Sequence, residues 1–208
     1  MTDDSQCDLL MLWLSERSGP PPAAHAPTGY RFRLFRPSDR ETFFDVQLSV
    51  GWITKEGEWQ ALMASALPDG IFIAEHAESG EAVGTIAAWR DPHEPQGPLR
   101  GVAEIGWLAV APAHRRRGLG LALCAAAMHR LVADGAERIF LRTHVDLRPP
   151  IRSYLQLGFR PFIHDNQSEL CWRDFRRHHV LPLRTDEWIR LGVEAGDGQG
   201  SSASVTDV

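Results

Sequence analysis

Three consecutive arginines and two glycines stand together at residues 115–120, which read R-R-R-G-L-G. A hydrophobic run at 101–110 precedes them and an alanine- and leucine-rich run at 119–133 follows, which predicts a strand, a turn and a helix. The first-turn N–H groups of a helix lack intrahelical partners and carry partial positive charge. Glycine lets an anion approach the backbone closely, and arginines add charged donors. The turn therefore predicts a binding site for a diphosphate.

Two common phosphate-binding motifs do not fit this turn. A Walker loop needs a lysine that is absent here, and of the dinucleotide motif G-x-G-x-x-G only the spacing of Gly118 and Gly120 is present. What fits is R-x-x-G-x-G, formed by Arg115, Gly118 and Gly120. The alternative interpretation is a basic helix start whose arginines are solvated, although three cations there oppose the helix dipole.

The R-x-x-G-x-G pattern resembles the acyl-CoA-binding signature of the GCN5-related N-acetyltransferase (GNAT) superfamily, written [QR]-x-x-G-x-[GA]. A second resemblance lies at residues 151–159, where Tyr154 and the pair Gly158-Phe159 match the superfamily element A-x-x-x-Y-x-x-x-G-F. Position 150 is proline where the family element has alanine. Leu147 stands where the family often has an asparagine that contacts the cofactor.

The elements that must position these residues alternate between strand-like and helix-like patterns over residues 30–174. The predicted order is a strand, two helices, three strands, a helix, a strand, a helix and a final strand pair at 159–163 and 169–174. This order resembles the whole acyl-CoA N-acyltransferase fold, an α/β class with a mixed, mostly antiparallel central sheet flanked by helices. The domain is expected to span residues 29–193, with a disordered tail at 194–208.

Residues 1–28 are expected to form a tail outside this domain. Residues 19–24 read G-P-P-P-A-A, a composition typical of a linker. The apolar run ahead of it, at 9–14, is open to two interpretations. It is either a short helix docked on the core or on the partner subunit of a homodimer, or a frayed terminus.

The resemblance implies that acetyl-CoA binds as the acyl donor. In the family, the strand before the phosphate turn parts from its neighbour and the pantetheine arm pairs with the exposed edge. Main-chain groups of Leu108 and Val110 would bind pantetheine, and the Val110 N–H would bind the acetyl carbonyl. The residues expected to bind the cofactor are Leu108, Val110, Arg115, Arg116, Arg117, Gly118, Leu119 and Gly120.

Transfer of an acetyl group to an amine requires one proton to leave the amine and one to reach the thiolate. Tyr154 is the candidate acid, because a tyrosine pKa near 10 exceeds that of the thiol; the alternative is a tyrosine packed in the core. Glu104 is the candidate base, at the position of the glutamate in the family's histone-modifying branch. Unless a bulge intervenes, it shares a strand face with Leu108 and Val110.

Glu104 and two tryptophans also have structural alternatives. For Glu104 this is an ion pair with an arginine or solvation at a sheet end. His144 is a weaker candidate base. Trp89 and Trp107 are candidates for the acceptor side, although aromatic residues on strands are more often core. The acceptor itself, a primary amine on a small molecule or a protein, matches no motif.

Composition narrows the class of protein. The chain has 208 residues, of which 43% are hydrophobic, with a net charge of −5. This charge argues against nucleic acid or a membrane surface as a partner. The three cysteines form no metal-ligand spacing, so no metal is expected and a reducing cytoplasm is favoured. An acetyltransferase is the leading interpretation, and a non-catalytic acyl-CoA sensor on the same fold is the alternative.

Overall fold

A computed structural model of the protein describes residues 8–90, 103–144, 148–179 and 184–190. Short 3-10 turns at Pro37–Asp39, Pro112–His114 and Thr185–Glu187 connect some of its elements. The strands and helices in these ranges are β1 (Asp8–Leu14), α1 (Ser15–Ser18), β2 (Tyr30–Leu34), α2 (Arg40–Ser49), α3 (Glu56–Ser65), β3 (Ala66–His76), β4 (Ala82–Arg90), β5 (Ala103–Val110), α4 (Leu119–Ala133), β6 (Arg138–His144), α5 (Arg148–Gln156), β7 (Arg160–Ile163), α6 (Asn166–His178) and β8 (Ile189–Arg190).

These strands form one sheet in the order β2-β3-β4-β5-β6-β1-β7-β8. The β5–β6 and β7–β8 pairs are parallel, and the other neighbouring pairs are antiparallel. The predicted hairpin is present as β3 and β4, and the predicted helix after the arginines is α4. The expected mixed, mostly antiparallel sheet flanked by helices is therefore confirmed.

Helices cover both faces of this sheet. On the α4 face, so named for the helix that packs on it, α4, α5 and α6 bury the β1 side chains Leu9, Met11 and Trp13 in the main core. On the opposite α2 face, α2 and α3 pack Phe43 and Trp59 in a second, aromatic cluster against β3 and β4. The two layers keep water from both sides of the central strands, which stabilises the fold through apolar burial.

The structure corrects the interpretation of the apolar run near the N-terminus. Asp8–Leu14 is neither a helix nor a frayed end: it is strand β1, paired antiparallel with both β6 and β7 in the interior of the sheet. Leu9, Met11 and Trp13 point into the main core, the alternate side chains Leu10, Leu12 and Leu14 form a third cluster on the other face, and all residues of β1 but Asp8 are buried. A strand buried on both faces reads as a continuous apolar run, which a short helix can also show. Residues 8–14 thus belong to the sheet and not to an outlying tail.

The prediction of a last strand at residues 169–174 is also wrong, because these residues lie within helix α6. The Asp165 side chain accepts a hydrogen bond of 2.6 Å from the Ser168 N–H and caps the helix start. Cys171, Trp172 and Phe175 then follow at helical spacing and are buried in the main core. The cap residue at 165 is the sequence signal that would have predicted a helix here.

Some expectations lie outside the described residues, namely the loop at 91–101, the tail at 194–208 and the first seven residues. Residues 19–24, predicted to be a linker, and the residues that follow them lie against α4 and the main core. The Nε2 atom of His129 is 2.9 Å from the Pro22 carbonyl oxygen, and Ala24 and Ala26 pack against the main core. Within the described parts of the chain, none of the helices has the length and apolarity to cross a membrane.

Candidate active site

The turn between β5 and α4 has the backbone shape of an anion-binding site. Arg116 and Gly118 both have positive φ, at 58° and 83°, on either side of Arg117. Gly118 is the left-handed residue that starts α4, where glycine carries no steric cost. Alternation with left-handed residues curves a backbone so that successive N–H groups converge on one point. The positive φ of residue 118 explains why a glycine is favoured at this position.

The start of α4 presents N–H groups without backbone acceptors. The first helical bond of α4 runs from the Ala122 N–H to the Gly118 carbonyl, at 3.0 Å. Among the residues that the structure describes, Leu119, Gly120 and Leu121 therefore have no carbonyl to which they donate. The Leu119 side chain is buried, so only its backbone faces the turn. These N–H groups and the helix dipole favour a bound anion.

The three arginines surround this turn from the solvent side, and all are exposed. Arg115 Nε donates to the Val110 carbonyl oxygen at 3.0 Å, and an Arg117 amino group donates to the Ala113 carbonyl at 3.5 Å. None of the three forms an ion pair with a carboxylate in the described residues. Their positive charge is therefore available to an anion at the turn.

Strands β5 and β6 part just before this turn. Their parallel pairing is recorded only at Ala103↔Ile139 and Glu104↔Phe140, although β5 continues to Val110 and β6 to His144. On its other edge β5 stays paired with β4 as far as Val110. Within the described residues, the edge of β5 that faces β6 is thus open over residues 105–110, as expected from the resemblance. An extended chain with amide groups can add to such an edge.

A β-bulge interrupts β5 inside this open stretch. On β4, Thr85 and Ala87 lie opposite Ala109 and Gly106, so β5 carries one extra residue between these pairs. The bulge includes Trp107, whose φ of 55° is rare for a residue with a side chain. The bulge turns one peptide of β5 out of its regular orientation.

The bulge also decides which side chains share a face. Leu108 and Val110 lie on the α4 face, and each has a methyl group 4.0 Å from the Cβ position of Gly120. Glu104 is paired with Trp89, whose ring packs on the α2 face. The expectation that Glu104 shares a face with Leu108 and Val110 held only for a strand without a bulge; here the extra residue reverses the alternation and puts Glu104 on the other face.

Glu104 lies where β5 and β6 begin to part, on the α2 face. Its carboxylate Oε1 is 3.6 Å from Nε of Arg142, and the side chains are 15% and 51% exposed, respectively. Trp107 and Trp89 pack beside the aromatic cluster on this face, with Trp89 resting on Gly106. The two tryptophans thus contribute to the core and also border the face on which Glu104 lies.

Tyr154 lies in the main core on the α4 face. Its ring packs edge-on against Phe159, with 6.1 Å between the ring centroids. Burial raises the pKa of Tyr154 well above its ordinary value of 10.0, and the neighbouring Cys124 thiol raises it further. The hydroxyl therefore keeps its proton at neutral pH, as a general acid must. Tyr154 and Glu104 lie on opposite sides of the sheet.

Three buried polar residues near the parted strands were not predicted from the sequence. Gln47 on α2 donates hydrogen bonds of 2.8 Å to the Trp107 carbonyl and the Thr85 hydroxyl. Thr143 on β6 has a buried hydroxyl without a hydrogen-bond partner in the part of the chain that the structure describes, and it follows the residues of β6 that pair with β5. Such residues carry no motif, and only the fold brings them to the cleft. No cluster of three metal-ligating side chains occurs among the described residues.

The sheet, the parted strands and the phosphate-type turn define an acyl-CoA N-acyltransferase fold. The model of the acetyltransferase (GNAT) family matches residues 32–159, and the chain belongs to this family. The structure is similar to that of the GCN5-related N-acetyltransferase from Sphaerobacter thermophilus, with a TM-score of 0.60 and 24% sequence identity. That match covers 74% of this chain and 48% of the other, and it supports the fold alone.

Two curated relatives are named mycothiol acetyltransferase. The one from Nocardioides sp. is 28% identical over 167 residues, which cover 71% of this chain and 56% of the relative. The one from Saccharomonospora viridis is 32% identical over 165 residues, which cover 73% of this chain and 53% of the relative. The chain thus spans about half the length of the curated relatives that it matches.

Proposed function

We propose that the protein is an N-acetyltransferase that transfers an acetyl group from acetyl-CoA to a primary amine of a small molecule or a protein by direct attack. The observation that carries the proposal is the open edge of β5 leading directly into the anion-binding turn. A long amide-containing arm with a diphosphate at its end needs both features. The names of the mycothiol acetyltransferase relatives also support acetyl transfer.

The residues present fit acetyl-CoA, which supplies the acetyl group as a thioester. The N–H groups at the start of α4 and the three arginines would hold the diphosphate. Gly120 leaves space beside Leu108 and Val110, since its nearest neighbours lie 4.0 Å from the position of a Cβ atom. Main-chain groups of Leu108 and Val110 would bind the pantetheine arm along the open edge.

The bulge changes the assignment of the group that binds the acetyl carbonyl. The Trp107 carbonyl points toward Gln47 and Thr85, at 2.8 and 3.0 Å. In a trans peptide the N–H points the opposite way, so the Leu108 N–H is directed into the opening between β5 and β6. The sequence indicated the Val110 N–H for this role. We assign it to Leu108 and leave Val110 to pantetheine.

Tyr154 and Glu104 would move the two protons from opposite faces. Burial raises the pKa of Tyr154 and keeps its hydroxyl protonated, and this hydroxyl would be the proton donor for the leaving thiolate. Glu104, on the face bordered by Trp89 and Trp107, can take a proton from the incoming ammonium. Acetyl-CoA and the amine would then approach the opening between β5 and β6 from opposite faces of the sheet. We place this reaction in the cytoplasm. That the protein forms a homodimer stays a prediction.

The first test is cofactor binding, measured by thermal shift and calorimetry with CoA and acetyl-CoA. We expect both to raise the melting temperature, because a ligand specific for the native state stabilises it. Gly120→Glu should abolish the shift by placing a negative side chain at the diphosphate. Gly120→Ala is the matched control, since its Cβ makes only ordinary contacts at 4.0 Å. Absence of binding by the wild-type protein at millimolar CoA would overturn the proposal.

The second test is turnover with a panel of amines. Free CoA is detected with a thiol reagent while acetyl-CoA is mixed with aminosugars, polyamines, amino acids and peptides with free N-termini. We expect at least one amine class to release CoA faster than water does. If acetyl-CoA binds but no amine accelerates release, a sensor replaces the enzyme as the best interpretation.

A further inference from the structure

We propose that Gln47 and Thr85 are positioning residues for the acetyl-transfer reaction, which set the direction of the Leu108 N–H by holding the carbonyl of Trp107. The inference rests on the proposed function, because it concerns how the acetyl carbonyl is bound. Neither side chain faces the opening itself. Both would act through the one peptide that links Trp107 to Leu108.

The peptide concerned is in a conformation that needs support. Trp107 has a φ of 55°, which residues with a Cβ atom rarely adopt. A peptide beside such a residue can turn over, and its N–H and carbonyl then exchange directions. The strand ladder does not prevent this, because β4 has no separate residue opposite each of the two bulge positions. Something other than strand pairing must fix the orientation.

A closed set of hydrogen bonds supplies that support. Gln47 donates from Nε2 to the Trp107 carbonyl and to the Thr85 hydroxyl, both at 2.8 Å. The Thr85 hydroxyl in turn donates to the same carbonyl at 3.0 Å. Both side chains are buried, with exposures of 2% and 0%. Both amide hydrogens of Gln47 and the hydroxyl hydrogen of Thr85 are therefore used by this network.

The network is specific to the carbonyl of Trp107. The three residues come from α2, β4 and β5, with separations of 38, 60 and 22 positions along the chain. A regular β5 without a bulge would leave no carbonyl pointing at α2 and no reason to bury an amide there. The buried polar groups are satisfied only when the Leu108 N–H points toward the opening.

An N–H fixed in advance stabilises negative charge on a carbonyl oxygen without having to reorient during the reaction. CoA has no acetyl carbonyl, so it cannot use this N–H, whereas acetyl-CoA can. The network should thus contribute to the preference for acetyl-CoA over CoA and to the reaction rate. It should contribute little to the binding of the diphosphate or of pantetheine.

The experiment compares Thr85→Val and Gln47→Leu, which remove donors while keeping similar size, with Thr85→Ser, which keeps the hydroxyl. Ser168→Ala is the control for loss of a buried polar group far from the opening, at the start of α6. Circular dichroism checks the fold. Calorimetry gives the dissociation constants for CoA and acetyl-CoA, and infrared spectroscopy of acetyl-CoA labelled with carbon-13 at the carbonyl reports its hydrogen bonding.

In the wild-type protein we expect the bound thioester carbonyl to absorb at lower frequency than in water. In Thr85→Val and Gln47→Leu this shift should shrink, and the preference for acetyl-CoA should fall roughly five- to tenfold, as for one lost hydrogen bond. The rate constant kcat should fall roughly ten- to a thousandfold. The dissociation constant for CoA should change little. Thr85→Ser and Ser168→Ala should resemble the wild type.

Several results would overturn the inference. One is an unshifted carbonyl band in the wild-type protein, and this result does not depend on any variant folding. Another is an unchanged preference and band in folded Thr85→Val. A third is an equal loss of CoA and acetyl-CoA affinity, which would make the role structural. If the wild-type protein binds neither ligand, the proposed function fails, and that outcome is distinct from these three.

Discussion

Glu104 and Arg142 form an ion pair of 3.6 Å across the point at which β5 and β6 begin to part. The carboxylate is mostly buried, whereas the guanidinium is half exposed. A carboxylate paired with an exposed arginine can exchange that partner for another cation that enters from solvent. Under the proposed function, the pair is where an incoming ammonium group would meet Glu104 as its base, on the side of the sheet away from Tyr154.

Glu104→Gln should lower the rate mainly at low pH, where the acceptor amine is protonated and most needs a base. We expect a loss of roughly a hundredfold there, within the usual contribution of a general base. The loss should fade as the pH approaches the pKa of the amine. Steady-state rates across pH with an accepted amine measure this. A profile that runs parallel to the wild type would leave Glu104 with a structural role.

Arg142→Gln is the matched variant, because it breaks the same ion pair and keeps the carboxylate. It should alter KM for the amine more than it alters the pH dependence of kcat. If both variants gave the same pH profile, the ion pair itself would be the functional unit rather than the carboxylate.

Tyr154→Phe removes one hydroxyl and keeps the ring that packs against Phe159. It should leave acetyl-CoA affinity nearly unchanged and lower kcat roughly ten- to a thousandfold. The pKa of Tyr154 is raised by burial, so wild-type activity should show no loss from tyrosine ionisation up to pH 10. Full activity in the variant would remove Tyr154 from the acid role.

The sequence predicted those strands and helices whose patterns lie within a short stretch of the chain. The strand, glycine turn and helix around Gly118 have a short motif, and the structure has these elements at nearly the predicted positions. The identity of β1 is not local, because a short run of apolar residues fits either a buried strand or a helix. The carbonyl of the bulge residue Trp107 accepts a hydrogen bond from Gln47, which lies 60 positions away. No pattern within one strand reveals such a partner.

Cys124 on α4 gives a prediction for alkaline stability. Burial raises the pKa of its thiol from 9.0 to about 12. Between these values the unfolded thiol loses its proton while the native one keeps it, so the native state binds more protons and its stability falls as pH rises. The slope from this residue is at most about 1.4 kcal/mol per pH unit. Urea unfolding at a series of pH values measures it.

Cys124→Ala should be less stable than the wild type at pH 7, because it leaves a small cavity. Its stability should nevertheless decline less steeply between pH 9 and 12. Equal slopes in the two proteins would contradict the assignment of this decline to Cys124.

Leu12→Asp tests the place of β1 in the sheet. Leu12 is fully buried beside Phe140 and Phe162, and an aspartate there would be buried without a partner. We expect a loss of several kcal/mol, a large part of the roughly 5–15 kcal/mol that stabilises a typical domain. Asp8→Asn, at the exposed start of β1, is the control. A wild-type urea midpoint for Leu12→Asp would place this segment outside the sheet.

The position of β1 also affects the order of events during synthesis. Trp172 Nε1 donates to the Leu10 carbonyl, a bond between residues 162 positions apart. The ribosome releases β1 before its neighbours β6 and β7, which lie more than a hundred residues further along the chain. Until then the apolar side chains of β1 have no sheet to enter, and closing so long a loop carries an entropic cost. The nascent chain therefore exposes the apolar β1 segment until β6 and β7 have been synthesised.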